Sequence, residues 1–209
     1  MKSEEILRKG LMELGFSVPE ETVAKFLVYL SELKRWNKAY NLTALTKDEE
    51  IVTKHFLDSL LYLSFVPEGQ HTVCDIGSGA GFPGIPMAIV RDDLTLLLVE
   101  PTRKRCSFLR HMKRTLPLSN IEVIEARVEE VTERLCDIAV TRALFSVKDL
   151  VSEAAHLVKD GGFFILNKGQ RLEEETADLP EGVMVEVKTL PLPGTTLKRN
   201  IIRAHTALT

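Results

Sequence analysis

The sequence predicts an α/β protein: a doubly wound, mostly parallel sheet of about seven strands with an antiparallel carboxy-terminal hairpin, behind a helical amino-terminal extension. Three observations predict it. Beyond residue 70, short apolar runs rich in β-branched residues alternate with segments of helical length, the pattern of parallel strands covered on both faces. The first of these runs opens directly into "CDIGSGAGFPGIP" (74–86), a backbone nearly bare of side chains placed between a strand and a helix. The last two runs, "GVMVEVKTL" and "RNIIRAHTA", are joined only by "PLPGTTLK", too short for a helical crossover, so they form an antiparallel pair at a sheet edge.

The elements follow in chain order. Ile6, Leu7, Leu11 and Leu14 line one face of a first helix that Gly15 ends. Pro19 suits the first turn of a second helix, whose apolar stripe runs through Val23, Phe26, Leu27, Leu30, Leu33 and Trp36. Thr46 and Glu49 have capping-box spacing and predict a third helix reaching about Phe65. These helices make an extension over 1–66, packed as one unit with a domain over 67–209. In that domain "TVCDI", "LTLLLVE", "IEVIEA", "CDIAVT" and "GGFFILN" read as strands, with helices over 83–91, 102–115, 128–134 and 146–158. "EEET" (173–176) reads as a solvated helix face.

Composition bounds the chemistry. The chain has 209 residues, is 44% hydrophobic and 27% charged, and carries a net charge of -3, which gives no global attraction to nucleic acid. Any RNA contact must come from local basic clusters. No apolar run is long enough to span a membrane, and "MKSEEILRKG" is too charged for a signal peptide. Cys74, Cys106 and Cys136 are an odd, widely spaced set, which predicts neither disulfides nor a metal site and suits a cytoplasmic setting.

The glycine-rich turn would sit at the ligand-accepting mouth of such a sheet. Gly79-x-Gly81-x-x-Gly84 also matches the dinucleotide fingerprint, a weak signal alone. Asp75 would repel a pyrophosphate, and Pro83 and Pro86 withhold amides where one would bind. A ligand with a positive centre and no phosphate fits better, and S-adenosyl-L-methionine is one. Glu100, ending the second strand, is placed to accept two ribose hydroxyls. The plainer readings are that Asp75 caps its own turn and that Glu100 is a solvated strand end.

"RWNKAYNLT" (35–43), "HFLDSL" (55–60), "CDIGSGAGFPGIP" (74–86), "KRCSFL" (104–109), "ARVEE" (126–130), "TRA" (141–143) and "NKG" (167–169) occur in this order. Together, over about residues 20 to 205, they resemble the bacterial small-subunit (16S) ribosomal RNA guanine-N(7) methyltransferases. The resemblance implies a class I S-adenosylmethionine-dependent methyltransferase acting on a guanine in a decoding-region hairpin loop of 16S ribosomal RNA, with that RNA or the small ribosomal subunit as partner. It implies that Gly77 and Phe82 contact the methionine and sulfonium part of the cofactor, beside Asp75, Gly79 and Gly81, which the turn itself marks as cofactor-binding candidates. Glu100 would hold the ribose, Val128 and Glu129 would flank the adenine, and Arg142 would sit where cofactor and target base meet. Glu100 stands where relatives carry Asp.

The residues permit that chemistry. After the fourth strand stands "TRAL", without the Asn/Asp-Pro-Pro-aromatic element of exocyclic-amine methylation. None of the three cysteines falls at a strand end where a pyrimidine-carbon methyltransferase needs its nucleophile, and each reads as a small buried hydrophobe. Guanine N7 asks for neither device, because it already carries a free lone pair. Arg35, His55, Arg127, Lys168 and Arg199 are RNA-binding candidates. The plainer readings are a hydrogen-bonded core histidine for His55, a turn residue for Asn41, a core ring for Trp36, and a surface ion pair for Arg142 with an acid such as Glu129. Two rival functions stay open at this level: a nicotinamide-dependent oxidoreductase, resting on the glycine spacing, and a non-catalytic ribosome assembly factor that keeps the fold.

Overall fold

Seven strands hydrogen-bond in the order β3-β2-β1-β4-β5-β7-β6. The computed structural model describes residues 2–133, 135–142, 146–168 and 179–206. The strands are β1 (His71–Ile76), β2 (Leu94–Val99), β3 (Ile121–Ile124), β4 (Cys136–Arg142), β5 (Val158–Lys168), β6 (Val183–Pro191) and β7 (Lys198–Thr206). β1 to β5 are mutually parallel, whereas β7 runs antiparallel to both β5 and β6. Strand order therefore reverses at β1, between β2 and β4, and the crevice at its carboxyl end is where such sheets bind ligands.

The central strands are covered on both faces, which is why they read as unbroken apolar runs rather than as alternation. On one face Val73, Leu96, Leu98, Ile138 and Val140 join a core built with helices α1 (Lys2–Glu13), α2 (Glu20–Tyr40), α5 (Gly84–Val90) and α6 (Arg103–Thr115). On the other, Cys74, Ile76, Leu97 and Ala139 pack with α7 (Val147–Ala154). All three cysteines are buried and free, as small hydrophobes. The amino-terminal helices thus share one continuous core with the sheet. No helix among the described residues is long and apolar enough to cross a membrane.

Three expectations need correction. The third helical segment does not open on a Thr46–Glu49 box: α3 (Asp48–Ile51) begins after Lys47 with no side-chain cap, and Asp48 is engaged by Lys34 instead. Nor does it stay α-helical. It passes through a π-helical stretch (Val52–Leu57), a short α4 (Asp58–Leu60) and a 3-10 turn (Leu61–Ser64). The wider π turn lets Val52, Thr53, His55, Phe56 and Leu57 all be buried, more than one stripe of an α-helix could supply. The segment 128–134 forms only a 3-10 turn (Val128–Glu130), closed reciprocally by Arg127 and Glu130. The helix expected over 146–158 ends at Ala154 and leads through a 3-10 turn (Ala155–Leu157) into β5. "EEET", Ala143 of "TRA" and Gly169 of "NKG" lie outside the described residues.

Candidate active site

The turn after β1 spends its amides inside the protein. Gly77 and Ser78 donate to the Val99 carbonyl at 2.8 and 3.2 Å, and Gly81 and Phe82 to the Ser78 carbonyl at 2.7 and 3.0 Å. Gly79 donates to Glu100 Oε2 at 2.9 Å, Gly84 to Asp75 Oδ2 at 2.9 Å, and Ile85 to the Gly81 carbonyl at 2.8 Å. A phosphate cradle needs such N–H groups free and convergent. Here seven of them are occupied, so the turn is shaped for a ligand that brings no phosphate.

Two neighbouring cavities flank this turn and share Gly77 and Pro101. The larger, about 310 Å³, is walled by Leu42, Thr43, His55, Gly77–Ala80, Phe82, Glu100–Thr102, Arg105 and Arg142. The smaller, about 170 Å³, is bounded by Ile76, Val99 and Val128 together with Ala126, Arg127 and Glu129. An apolar slot beside a polar chamber, with a carboxylate in the chamber next to the shared Pro101, suits an adenine, a ribose and an amino-acid tail. Glu100 is that carboxylate. Its side chain is buried, each oxygen accepts one backbone amide (Gly79 at 2.9 Å, Thr102 at 2.9 Å), and a second lone pair on each remains for two hydroxyl donors.

The glycines divide by role. A Cβ built on Gly79 would meet only the Gly77 carbonyl, at 3.8 Å, so this position faces open cavity. On Gly81 a Cβ would lie 2.5 Å from Ile85 Cδ1 and 2.9 Å from Tyr29 Oη. Gly81 therefore serves packing beneath the turn and does not line the ligand space, against the expectation. Asp75 is corrected likewise. It lies in β1 rather than in the turn, is fully buried, and lines neither cavity. Its Oδ1 has no hydrogen-bond partner among the described residues, and burial raises its pKa to about 7. A carboxyl so placed braces the start of α5 through Gly84 and does not repel a ligand, so the like-charge argument loses its premise.

The second wall comes from the amino-terminal helices. Tyr29 Oη donates to the Ala80 carbonyl at 2.5 Å, fixing the turn from below. Phe82 stacks between Tyr29 (5.4 Å between ring centroids) and His55 (4.4 Å). Arg142, the last residue of β4, lays its guanidinium 5.0 Å from the Phe82 ring centroid and donates to His55 Nδ1 at 3.0 Å and to the Lys54 carbonyl at 3.3 Å. It has no ion pair with Glu129. Burial, and then the adjacent Arg142 cation, hold the His55 pKa down at about 3, so the ring is neutral. Because Nδ1 accepts from Arg142, Nε2 carries the proton and donates to Thr43 Oγ1 at 2.7 Å. With its lone pair occupied, His55 is no proton acceptor for a substrate; it aims Arg142.

The site thus brings together Gly77, Gly79, Phe82, Glu100, His55 and Arg142, with Arg127, Val128 and Glu129 in the adjoining slot. The remaining RNA candidates fall elsewhere. Arg35 is on the exposed side of α2, 2.5 Å from Glu32. Arg199 is committed to buried Asp58, Nε to Oδ1 at 2.7 Å, which also accepts from Asn167 at 3.2 Å. Lys168 pairs in register with Asn200 at the end of β5. Thr43, Pro101, Thr102 and Arg105 were missed. Thr43 stood inside the quoted "RWNKAYNLT", but nothing local to it signals the bond to His55.

Known proteins resemble the chain closely. The family model described as "GidB: rRNA small subunit methyltransferase G" matches residues 22–202. Ribosomal RNA small subunit methyltransferase G of Neisseria meningitidis serogroup B is 40% identical over 203 residues, covering 97% of this chain and 98% of that protein. The namesake from Alkaliphilus metalliredigens is 36% identical over 215 residues, covering 97% and 90%. Among solved structures, a SAM-dependent methyltransferase from Aquifex aeolicus aligns with a TM-score of 0.56 at 14% identity, covering 84% of this chain and 97% of that one. TYW2 of M. jannaschii, solved in complex with AdoMet, aligns with a TM-score of 0.53 at 15% identity, covering 71% and 74%. These two likenesses are of fold.

Proposed function

The chain belongs to the rRNA small subunit methyltransferase G family, and from that premise we propose that it methylates N7 of a guanine in a decoding-region hairpin loop of 16S ribosomal RNA, acting in the cytoplasm on the RNA or the small ribosomal subunit. The cofactor is S-adenosyl-L-methionine, which supplies a methyl group activated by a sulfonium. Its fit rests on the occupied amides of the turn, the open space over Gly79 and the two free acceptor positions of Glu100.

In this reading Ile76, Val99 and Val128 hold the adenine, Glu100 accepts from the ribose, and Gly77, Gly79 and Phe82 shape the methionine side. Guanine N7 enters as a nucleophile with its lone pair free. With the cofactor bound, its sulfonium would supply the methyl group to that lone pair and leave as a neutral thioether, and no proton need leave N7. The protein's contribution is position and orientation, worth roughly 7–11 kcal/mol where alignment is good. Arg142 carries the orienting part: a planar guanidinium over Phe82, fixed by His55, presents in-plane donors toward a base or phosphate at the cavity mouth. Residues 1–66 supply one wall of this mouth and act as one unit with 67–209.

The observation that carries the reading is the Phe82–His55–Arg142 arrangement beside a turn that has seven of its amides occupied within the protein. It also leaves the nicotinamide alternative without its anchoring site. The test is methyl transfer from labelled cofactor to small subunits from a strain lacking this gene, with the modified nucleoside identified by mass. Label in 7-methylguanosine is expected. Label in another nucleoside would overturn the target assignment, and binding without label would favour the assembly-factor reading.

A further inference from the structure

We infer that Tyr40 is a stacking platform for a base of the rRNA strand next to the target, with Lys104 taking the adjoining phosphate; this rests on the rRNA reading above. Among the described residues Tyr40 is the only aromatic in the set of exposed large apolar side chains, at 44% exposure. An exposed ring has lost the hydrophobic reason to be held in place, yet this one is held. It packs on Trp36 at 5.3 Å between centroids, and Trp36 in turn packs on Phe108 at 5.5 Å and His111 at 5.2 Å of α6. Its location is also specific. Tyr40 ends α2, and after Asn41 turns the chain in a left-handed conformation (φ 51°), Leu42 and Thr43 are already cavity wall. Tyr40 thus stands two residues before the cavity wall.

The electrostatics favour a polyanion there. α6 carries Arg103, Lys104, Arg105, Arg110, Lys113 and Arg114 and no carboxylate. Arg105 is itself a cavity residue, with its guanidinium 3.7 Å from Glu100. Lys104 has no ion-pair partner among the described residues, and its ammonium stands 6.0 Å from the Tyr40 centroid. Elsewhere in the molecule cations close directly over rings, Lys188 over Phe65 at 4.1 Å and Arg203 over Phe163 at 4.2 Å. Over Tyr40 the ammonium stands farther off, at 6.0 Å, so the cation does not close directly on the ring, which stays 44% exposed. An aromatic face beside a free cation at the edge of a basic helix is how proteins take single-stranded bases without reading their sequence.

The test compares Tyr40→Leu, Tyr40→Phe and wild type on small subunits from a strain lacking the gene. Tyr40→Leu is expected to raise KM for the subunit about 10-fold or more while kcat, cofactor affinity and thermal stability stay near wild type. Tyr40→Phe, which keeps the ring, is expected to behave as wild type. Trp36, the single tryptophan, gives a second readout. A single-stranded oligoribonucleotide should change its fluorescence saturably in wild type and Tyr40→Phe but not in Tyr40→Leu. Wild-type KM in Tyr40→Leu, or an equal loss in Tyr40→Phe, would overturn the inference. Absence of methyl transfer by wild type would sink the rRNA reading instead, and the fluorescence titration would then decide on Tyr40 by itself.

Discussion

Gly79 and Gly81, one residue apart, should respond oppositely to the same substitution to alanine. Both have positive φ, 58° and 94°, so each alanine carries a left-handed strain of roughly 1–2 kcal/mol. At Gly79 that is the whole cost to the fold, since the new Cβ meets nothing nearer than 3.8 Å. At Gly81 the Cβ would press to 2.5 Å of Ile85 Cδ1 and 2.9 Å of Tyr29 Oη, and both residues are fully buried. Overpacking of that kind adds about 1–3 kcal/mol, so Gly81→Ala should be the less stable variant by that amount. The ligand effects run the other way. Gly79→Ala places a methyl group in the cavity and should weaken cofactor binding about tenfold, ~1.4 kcal/mol. Gly81→Ala, once folded, should bind nearly as wild type does. Urea unfolding of both variants, with calorimetric titration of S-adenosylhomocysteine at low denaturant, measures the four quantities. Equal stability of the two variants, or unchanged affinity in Gly79→Ala, would refute the division of roles.

Three further outcomes are expected. Arg142→Lys should keep the fold and most of the cofactor affinity but lose about 10²-fold in single-turnover methylation, the cost of misplacing the target; a wild-type rate would remove Arg142 from the active centre. Glu100→Gln turns an amide toward either Gly79 or Thr102, both donors, and should cost about 1–3 kcal/mol in apo stability as well as weakening cofactor binding. Calorimetry showing neither loss would place Glu100 outside the site. Asp75 holds its proton in the folded state up to a pKa of about 7, against 3.8 for an ordinary aspartate. The stability it contributes is therefore full below about pH 4 and lost as pH rises toward 7, by up to about 4 kcal/mol at ~1.4 kcal/mol per pH unit. Asp75→Asn should flatten that slope, and urea midpoints at several pH values that fall in parallel for variant and wild type would show the carboxyl to be ionised throughout.

Strands and ligand mouth were legible because their signals are local. "LTLLLVE" must be a strand covered on both faces, and a bare turn after "TVCDI" must lie at the sheet's reversal point. The glycine pattern gave positions but not directions, which is why Gly81 and Asp75 were assigned to the ligand when they brace the turn from below. The π turn at Val52–Leu57 has no compositional mark, and it was hidden inside a plausible helix. Arg199 was legible as a cation but not as the partner of Asp58, 141 residues away, nor His55 as the support of Arg142, 87 residues away. Those pairings exist only once the sheet has been built.

That separation along the chain also orders events during synthesis. The wall carrying His55 and Asp58 leaves the ribosome long before β4 and β7 supply Arg142 and Arg199, and contacts so distant in sequence are the slow ones to close. A nascent chain halted after β3 would hold the whole glycine turn and Glu100 yet lack Arg142 and Arg199. The pocket around the glycine turn is therefore finished only when β4 and β7 have joined the sheet, so the most recognisable stretch of the sequence is not by itself the site.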